Sequence, residues 1–168
     1  EKLTRIKPIL GTYVSISIAA ETTREKLIEV TEAGYKEIYR IHELMSFHEP
    51  TSEITKLNLS ALKKPIQISN DTLQVINSAL ELSKTTNGIF DISCANAMVK
   101  QKRLPDHGFK FSNESNWNDI QLESNKIFFT RPLIIDVSGL AKGFAVDKAY
   151  KRIEILLAEY TDKIQICI

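Results

Sequence analysis

The sequence has almost no charge excess: 22 Lys and Arg against 21 Asp and Glu leave a formal net charge of +1 over 168 residues. Binding to nucleic-acid phosphates draws on a clear cationic surplus, so this balance argues against a nucleic-acid partner. Long apolar runs are missing. The longest are a few residues, far short of the roughly 20 that cross a bilayer as a helix. Cysteine is scarce. Cys94 and Cys167 lack the spacing of a disulfide framework and read as two small buried apolar side chains. His42, His48 and His107 have no metal-ligand spacing. Low-complexity stretches and internal linkers are absent, which excludes a disordered tail. What remains is 43% apolar and 26% charged residues, the composition of one globular domain over residues 1–168.

Both ends carry expectations. The first residue is Glu1 rather than Met, which suits a processed or trimmed chain whose leader or lipid anchor is out of view. The last six residues, Lys163 to Ile168, alternate apolar and semi-polar side chains. They predict a strand that needs a partner, or a chain that stops inside a fold.

Between the ends, strands and long helices alternate. Val14, Ile16 and Ile18 against Ser15 and Ser17 predict a half-buried strand over 10–19. Thr22-Thr23-Arg24-Glu25 reads as a capping box opening a helix that ends near Ser46-Phe47. Ser52 suits the cap of a short helix to about Asn58, and Ser69-Asn70-Asp71 opens a second long helix closed by Thr86-Asn87-Gly88. Residues 94–118 read as irregular. Ile120 to Leu122 and Ile127 to Phe129 predict a hairpin, Leu133 to Val137 a further strand, and Leu140 to about Tyr160 the last helix. The fold class is α+β, a mixed sheet with long packed helices.

Three segments carry chemistry. Ile135 to Asp147 runs from an apolar strand through the small residues Ser138 and Gly139 into a helix start, with Lys142 one turn in. Small residues admit a ligand close to the backbone, and a helix N-terminus favours phosphate. Asp136 at the strand's end can accept hydrogen bonds from a ligand. Thr86 to Ser93 sets a glycine beside Phe90 and Asp91, a combination able to line a pocket for a planar ring or simply to cap a helix. Met45 to Glu53, with Asn58 after it, reads alone as a helix–turn–helix junction.

In order and spacing these segments, with Leu10-Gly11-Thr12, resemble the ApbE family, the FAD:protein FMN transferases. The matching positions are Ser46-Phe47-His48, Ser52-Glu53, Asn58, Thr86 to Asp91, and Asp136 to Asp147. The resemblance implies an ApbE-like, T-fold-related architecture. It also implies an enzyme that moves FMN from FAD to a Ser or Thr hydroxyl of a target flavoprotein, with Mg²⁺, releasing AMP. On the same ground Leu10, Phe47, Ile89, Phe90, Asp91, Asp136 and Lys142 are expected at FAD, and the Gly139 carbonyl at Mg²⁺. The target expected is a subunit of a membrane redox complex. The location expected is periplasmic, anchored by lipid to the inner membrane.

The family's Asn-x-Gly-Gly-Asp element and its Asp and Thr metal ligands have no counterpart before Ile168. One carbonyl cannot make an octahedral Mg²⁺ site. This chain alone is therefore expected to be a poor transferase. The alternative is a non-catalytic flavin-binding or partner-binding half-domain, with homodimer formation through the last strand as one route.

Overall fold

The computed structural model describes residues 1–161 and 163–168. The chain is α+β, as expected, and separates into two compact units. The first comprises residues 1–42 and 142–168, the second residues 43–141.

The first unit is built on an antiparallel sheet in the order β1-β2-β6. β1 (Lys2–Ile9) and β2 (Thr12–Ala20) form a hairpin that pairs Ile9 with Thr12. β6 (Ile164–Cys167) pairs with β2 from Ser17 to Ala20. β1 did not stand out in the sequence, because Arg5 and Lys7 interrupt its alternation; both are ion-paired to Glu32. The turn is Leu10-Gly11, with φ of 61° and 70°. Two positive φ values make the tight turn whose twist matches the strands. Leucine adopts that conformation at a cost of about 1–2 kcal/mol.

Val14, Ile16 and Ile18 are buried, as their alternation predicted. They share the unit's core with Leu27, Val30, Tyr35 and Ile38 of helix α1 (Arg24–Met45) and with Ala145, Ala149 and Ile153 of helix α5 (Ser138–Ala158). Thr23 caps α1 by accepting the Lys26 N–H at 3.3 Å, so the cap sits one residue later than the Thr22 frame suggested. Tyr35 donates to the carbonyls of Arg5 at 2.7 Å and Val14 at 3.1 Å, joining helix to sheet. At Gly34 a Cβ would lie 2.6 Å from Ile153 Cδ1 and 3.3 Å from Ile16 Cδ1, so the glycine permits a close approach there.

The second unit holds helix α2 (Glu53–Ser60), strand β3 (Ile66–Gln67), helix α3 (Asn70–Thr85) and short helix α4 (Ala95–Lys100). It also holds the hairpin of β4 (Ile120–Glu123) and β5 (Lys126–Phe129), and the sheet order is β3-β5-β4. Ser52 caps α2 and Ser69 caps α3, each accepting the N–H three residues on. Glu53 ties the two helix starts together. Its carboxylate accepts from the Ser69 N–H at 3.1 Å, the Ser69 hydroxyl at 2.8 Å and the Thr72 hydroxyl.

Three sequence expectations need correction. Residues 94–118 are not irregular throughout, since Ala95–Lys100 form α4. Residues 133–137 are not a ladder strand. Leu133, Ile134, Ile135 and Val137 are buried, as an apolar strand's would be. Yet the backbone of Ile135 is taken by the Asn58 side chain, and the Asp136 N–H by the Ile92 carbonyl. The cysteines are unpaired but exposed. Cys94 ends a 3₁₀ turn (Ile92–Cys94) whose buried side chains are Ile92 and Ser93, and Cys167 lies on the exposed phase of β6.

Candidate functional site

The expected ligand-contacting positions fall in both units. Leu10 and Lys142 belong to the first. Leu10 sits at the β1–β2 turn beside an open groove of about 450 Å³, which Tyr13, Tyr39 and His42 also line. Lys142 is exposed on α5.

In the second unit the structure brings four expected positions together. The Asp91 carboxylate accepts the Ser93 N–H at 2.8 Å, setting the turn after Phe90. The Asp136 N–H donates to the Ile92 carbonyl at 2.8 Å, which joins the 91–94 turn to the start of α5. The Asp136 carboxylate accepts from the Ser138 N–H at 2.9 Å and the Ser138 hydroxyl at 2.7 Å. A carboxylate at a helix N-terminus complements the helix dipole. The Phe90 ring lies against Gly139: a Cβ there would sit 3.6 Å from Phe90 Cε2, an ordinary contact. The result is an aromatic ring, two carboxylates and a small-residue helix start in one place. Ile89 beside them is 91% exposed, an apolar side chain open to a ligand.

Phe47 belongs to the same unit. It is buried, with the Phe109 ring edge-on at 5.3 Å and the His107 ring at 6.3 Å, while His107 bonds the Phe47 carbonyl at 3.0 Å. His48 lines a separate groove with Lys102 and Arg103.

Sequence reasoning passed over Cys94. Although the residue is exposed, partial desolvation of its thiol, then the carboxylates of Asp136 and Asp91, push its pKa above the usual thiol value of 9.0. The thiol is therefore protonated at neutral pH, and a protonated thiol is a weak nucleophile. Its sequence signal was only its place, three residues after Asp91. The Ser52-Glu53 and Asn58 motif proves to hold backbone: Ser52 and Glu53 through helix starts, Asn58 through Ile135.

A metal fits these residues poorly. Among the described residues no three His, Cys, Asp or Glu side chains come together as metal ligands. Gly139 offers a single carbonyl, and both Asp136 oxygens already accept hydrogen bonds from Ser138. An octahedral Mg²⁺ needs six oxygen ligands, several of them waters.

Comparison with known proteins agrees with this architecture. The model of the ApbE family matches residues 10–159. The chain belongs to the ApbE family. It is similar to an FAD:protein FMN transferase of Haemophilus influenzae, 28% identical over 153 residues, covering 82% of this chain and 43% of that protein. This chain thus spans less than half the length of that ApbE relative. Among solved structures it is similar in fold to the ApbE protein of Thermotoga maritima, with a TM-score of 0.82, 18% identity, and coverage of 99% of this chain and 57% of that one. The flavin transferase ApbE of Vibrio cholerae aligns with a TM-score of 0.78 and 20% identity over 100% of this chain and 57% of that one. These likenesses establish the ApbE fold for this chain.

Proposed function

We propose that this chain is the flavin-nucleotide portion of an FAD:protein FMN transferase. The observation that supports the reading most strongly is the meeting of Phe90, Asp91, Asp136 and Gly139 at the start of α5, in a chain matched to the ApbE family over residues 10–159. In the reaction, a Ser or Thr hydroxyl oxygen of the target flavoprotein bonds to the phosphorus of the FMN half of FAD. The pyrophosphate P–O bond to AMP breaks, AMP leaves, and the hydroxyl gives up its proton.

This chain's share is binding and orientation. Ile89 and Phe90 offer apolar and aromatic surface to a planar ring. Asp91 and Asp136 offer acceptors to hydroxyl or ring N–H groups. Lys142 offers a point charge to phosphate. Leu10 offers an apolar side chain held by its strained turn, and Phe47, which the resemblance places at the flavin, packs with Phe109 and His107. The residues present do not fit a Mg²⁺ site, so no step is assigned to a metal; the ion that the resemblance implies would need further ligands besides the Gly139 carbonyl. The target as a membrane redox subunit and a lipid-anchored periplasmic location belong to this proposal on the resemblance alone.

The test is FAD titration by quenching of flavin fluorescence, on this chain and on its Asp136→Ala and Lys142→Ala variants. Each substitution is expected to weaken binding about tenfold, which corresponds to about 1.4 kcal/mol. A folded wild-type chain that leaves flavin fluorescence unchanged sinks the reading for this chain. A second reading, a non-catalytic partner-binding module, is favoured by one observation: β6 is the last strand in the order β1-β2-β6. A free strand edge can pair with another chain. Sedimentation of the same sample tests its homodimer form, since a 19.0 kDa species at all concentrations excludes pairing of two copies.

A further inference from the structure

We infer that Asn58 is a positioning residue that sets the direction of the Asp136 carboxylate. The inference rests on the proposed role of Asp136 at flavin. Asn58 is buried in α2, and its amide takes up both backbone groups of one residue 77 positions away. Its Nδ2 donates to the Ile135 carbonyl at 2.9 Å, and its Oδ1 accepts the Ile135 N–H at 2.8 Å. This is the pair of bonds a neighbouring strand would make, supplied here by one side chain. A flipped amide would face donor to donor and acceptor to acceptor, so only one orientation of Asn58 fits.

The consequence lies one residue on. The peptide before Asp136 is held by Asn58, and the Asp136 N–H is held by the Ile92 carbonyl at 2.8 Å. With the peptide before it held at both its carbonyl and its N–H, Asp136 closes its carboxylate onto Ser138 at the opening of α5. A buried amide used only for filling space would need hydrogen bonds to any polar neighbours. Here they go to the single residue preceding the ligand-facing carboxylate.

Two variants and two readouts test this. In Asn58→Ala, the Asp136 amide is expected to exchange with solvent at least about tenfold faster, while core amides of α3 change less than about threefold. FAD affinity is expected to fall about tenfold in the same variant, while the packing control Ile76→Val in α3 stays within about twofold of wild type. Asn58→Asp keeps the volume and the acceptor but turns a carboxylate oxygen toward the Ile135 carbonyl, so it is expected to bind FAD no better than Asn58→Ala. Wild-type affinity in Asn58→Asp, or unchanged exchange of the Asp136 amide in Asn58→Ala, overturns the inference. If the wild-type chain binds no FAD, the flavin reading falls, and the exchange measurement still decides the role of Asn58.

Discussion

The β1–β2 hairpin and residues 133–137 are both extended, and they are held in different ways. The hairpin makes a continuous backbone ladder from Lys2–Ala19 to Ile9–Thr12, with ion pairs at its surface. Residues 133–137 have no ladder; their polar groups go to the Asn58 side chain, to the Ile92 carbonyl and, from Pro132 just before them, to the Ser112 N–H and Ser115 hydroxyl. A ladder spreads its strength over many equivalent bonds. A clamp concentrates it in a few buried groups, each costly to lose because its partner is left unsatisfied. The carboxylate-bearing segment is the clamped one.

Three substitutions sharpen this contrast, in falling order of effect. Removing a clamp should hurt most. Glu53→Ala strips the carboxylate that three donors at the start of α3 share and is expected to lower stability by about 2–3 kcal/mol in urea unfolding. A loss under about 0.5 kcal/mol would equate clamp with surface contact. Next comes the ladder's turn. Leu10→Asn creates an Asn-Gly pair suited to two positive φ values and is expected to gain about 1 kcal/mol, with weaker FAD binding. A gain in both stability and affinity would remove Leu10 from the proposed flavin site.

Smallest is the ladder's ion pair. Hydrogen bonding to Lys7, set against some desolvation, lowers the Glu32 carboxyl below its usual value of 4.5. Its stabilising effect is therefore present above pH 4.5 and is lost as pH falls through the lowered value. Glu32 is 37% exposed, so screening keeps the effect under about 1 kcal/mol. Glu32→Gln should lower stability at neutral pH by under about 1 kcal/mol, have no effect well below pH 4.5, and so flatten the fall between them. An unaltered acid slope would assign that fall to other carboxylates.

The same contrast explains what could be read from the sequence. Features that repeat along the chain were legible: the alternation of Val14, Ile16 and Ile18, the serine caps at Ser52 and Ser69, the hairpin around Ser124-Asn125 and the stop at Gly88. Features that depend on one side chain reaching a distant backbone were not. Nothing near Asn58 announces Ile135, and the apolar run Leu133 to Val137 looks like a strand whether a strand or an amide faces it. β1 stayed hidden because Arg5 and Lys7 occupy positions an apolar pattern would fill, and because Leu-Gly is an unusual turn pair. The site was legible as segments. Their meeting at Phe90, Asp136 and Gly139 needed coordinates, and Cys94 between two carboxylates came with them.

Gly34 has a consequence for inheritance. It leaves room for a hydrogen where α1 passes Ile153 of α5, and a methyl there would stand 2.6 Å from the Ile153 side chain and 3.3 Å from Ile16. Positions 34 and 153 are therefore not free to drift independently. A larger residue at 34 obliges the Ile153 side chain to turn aside or be trimmed, so the two positions, far apart in the gene, are coupled through one contact.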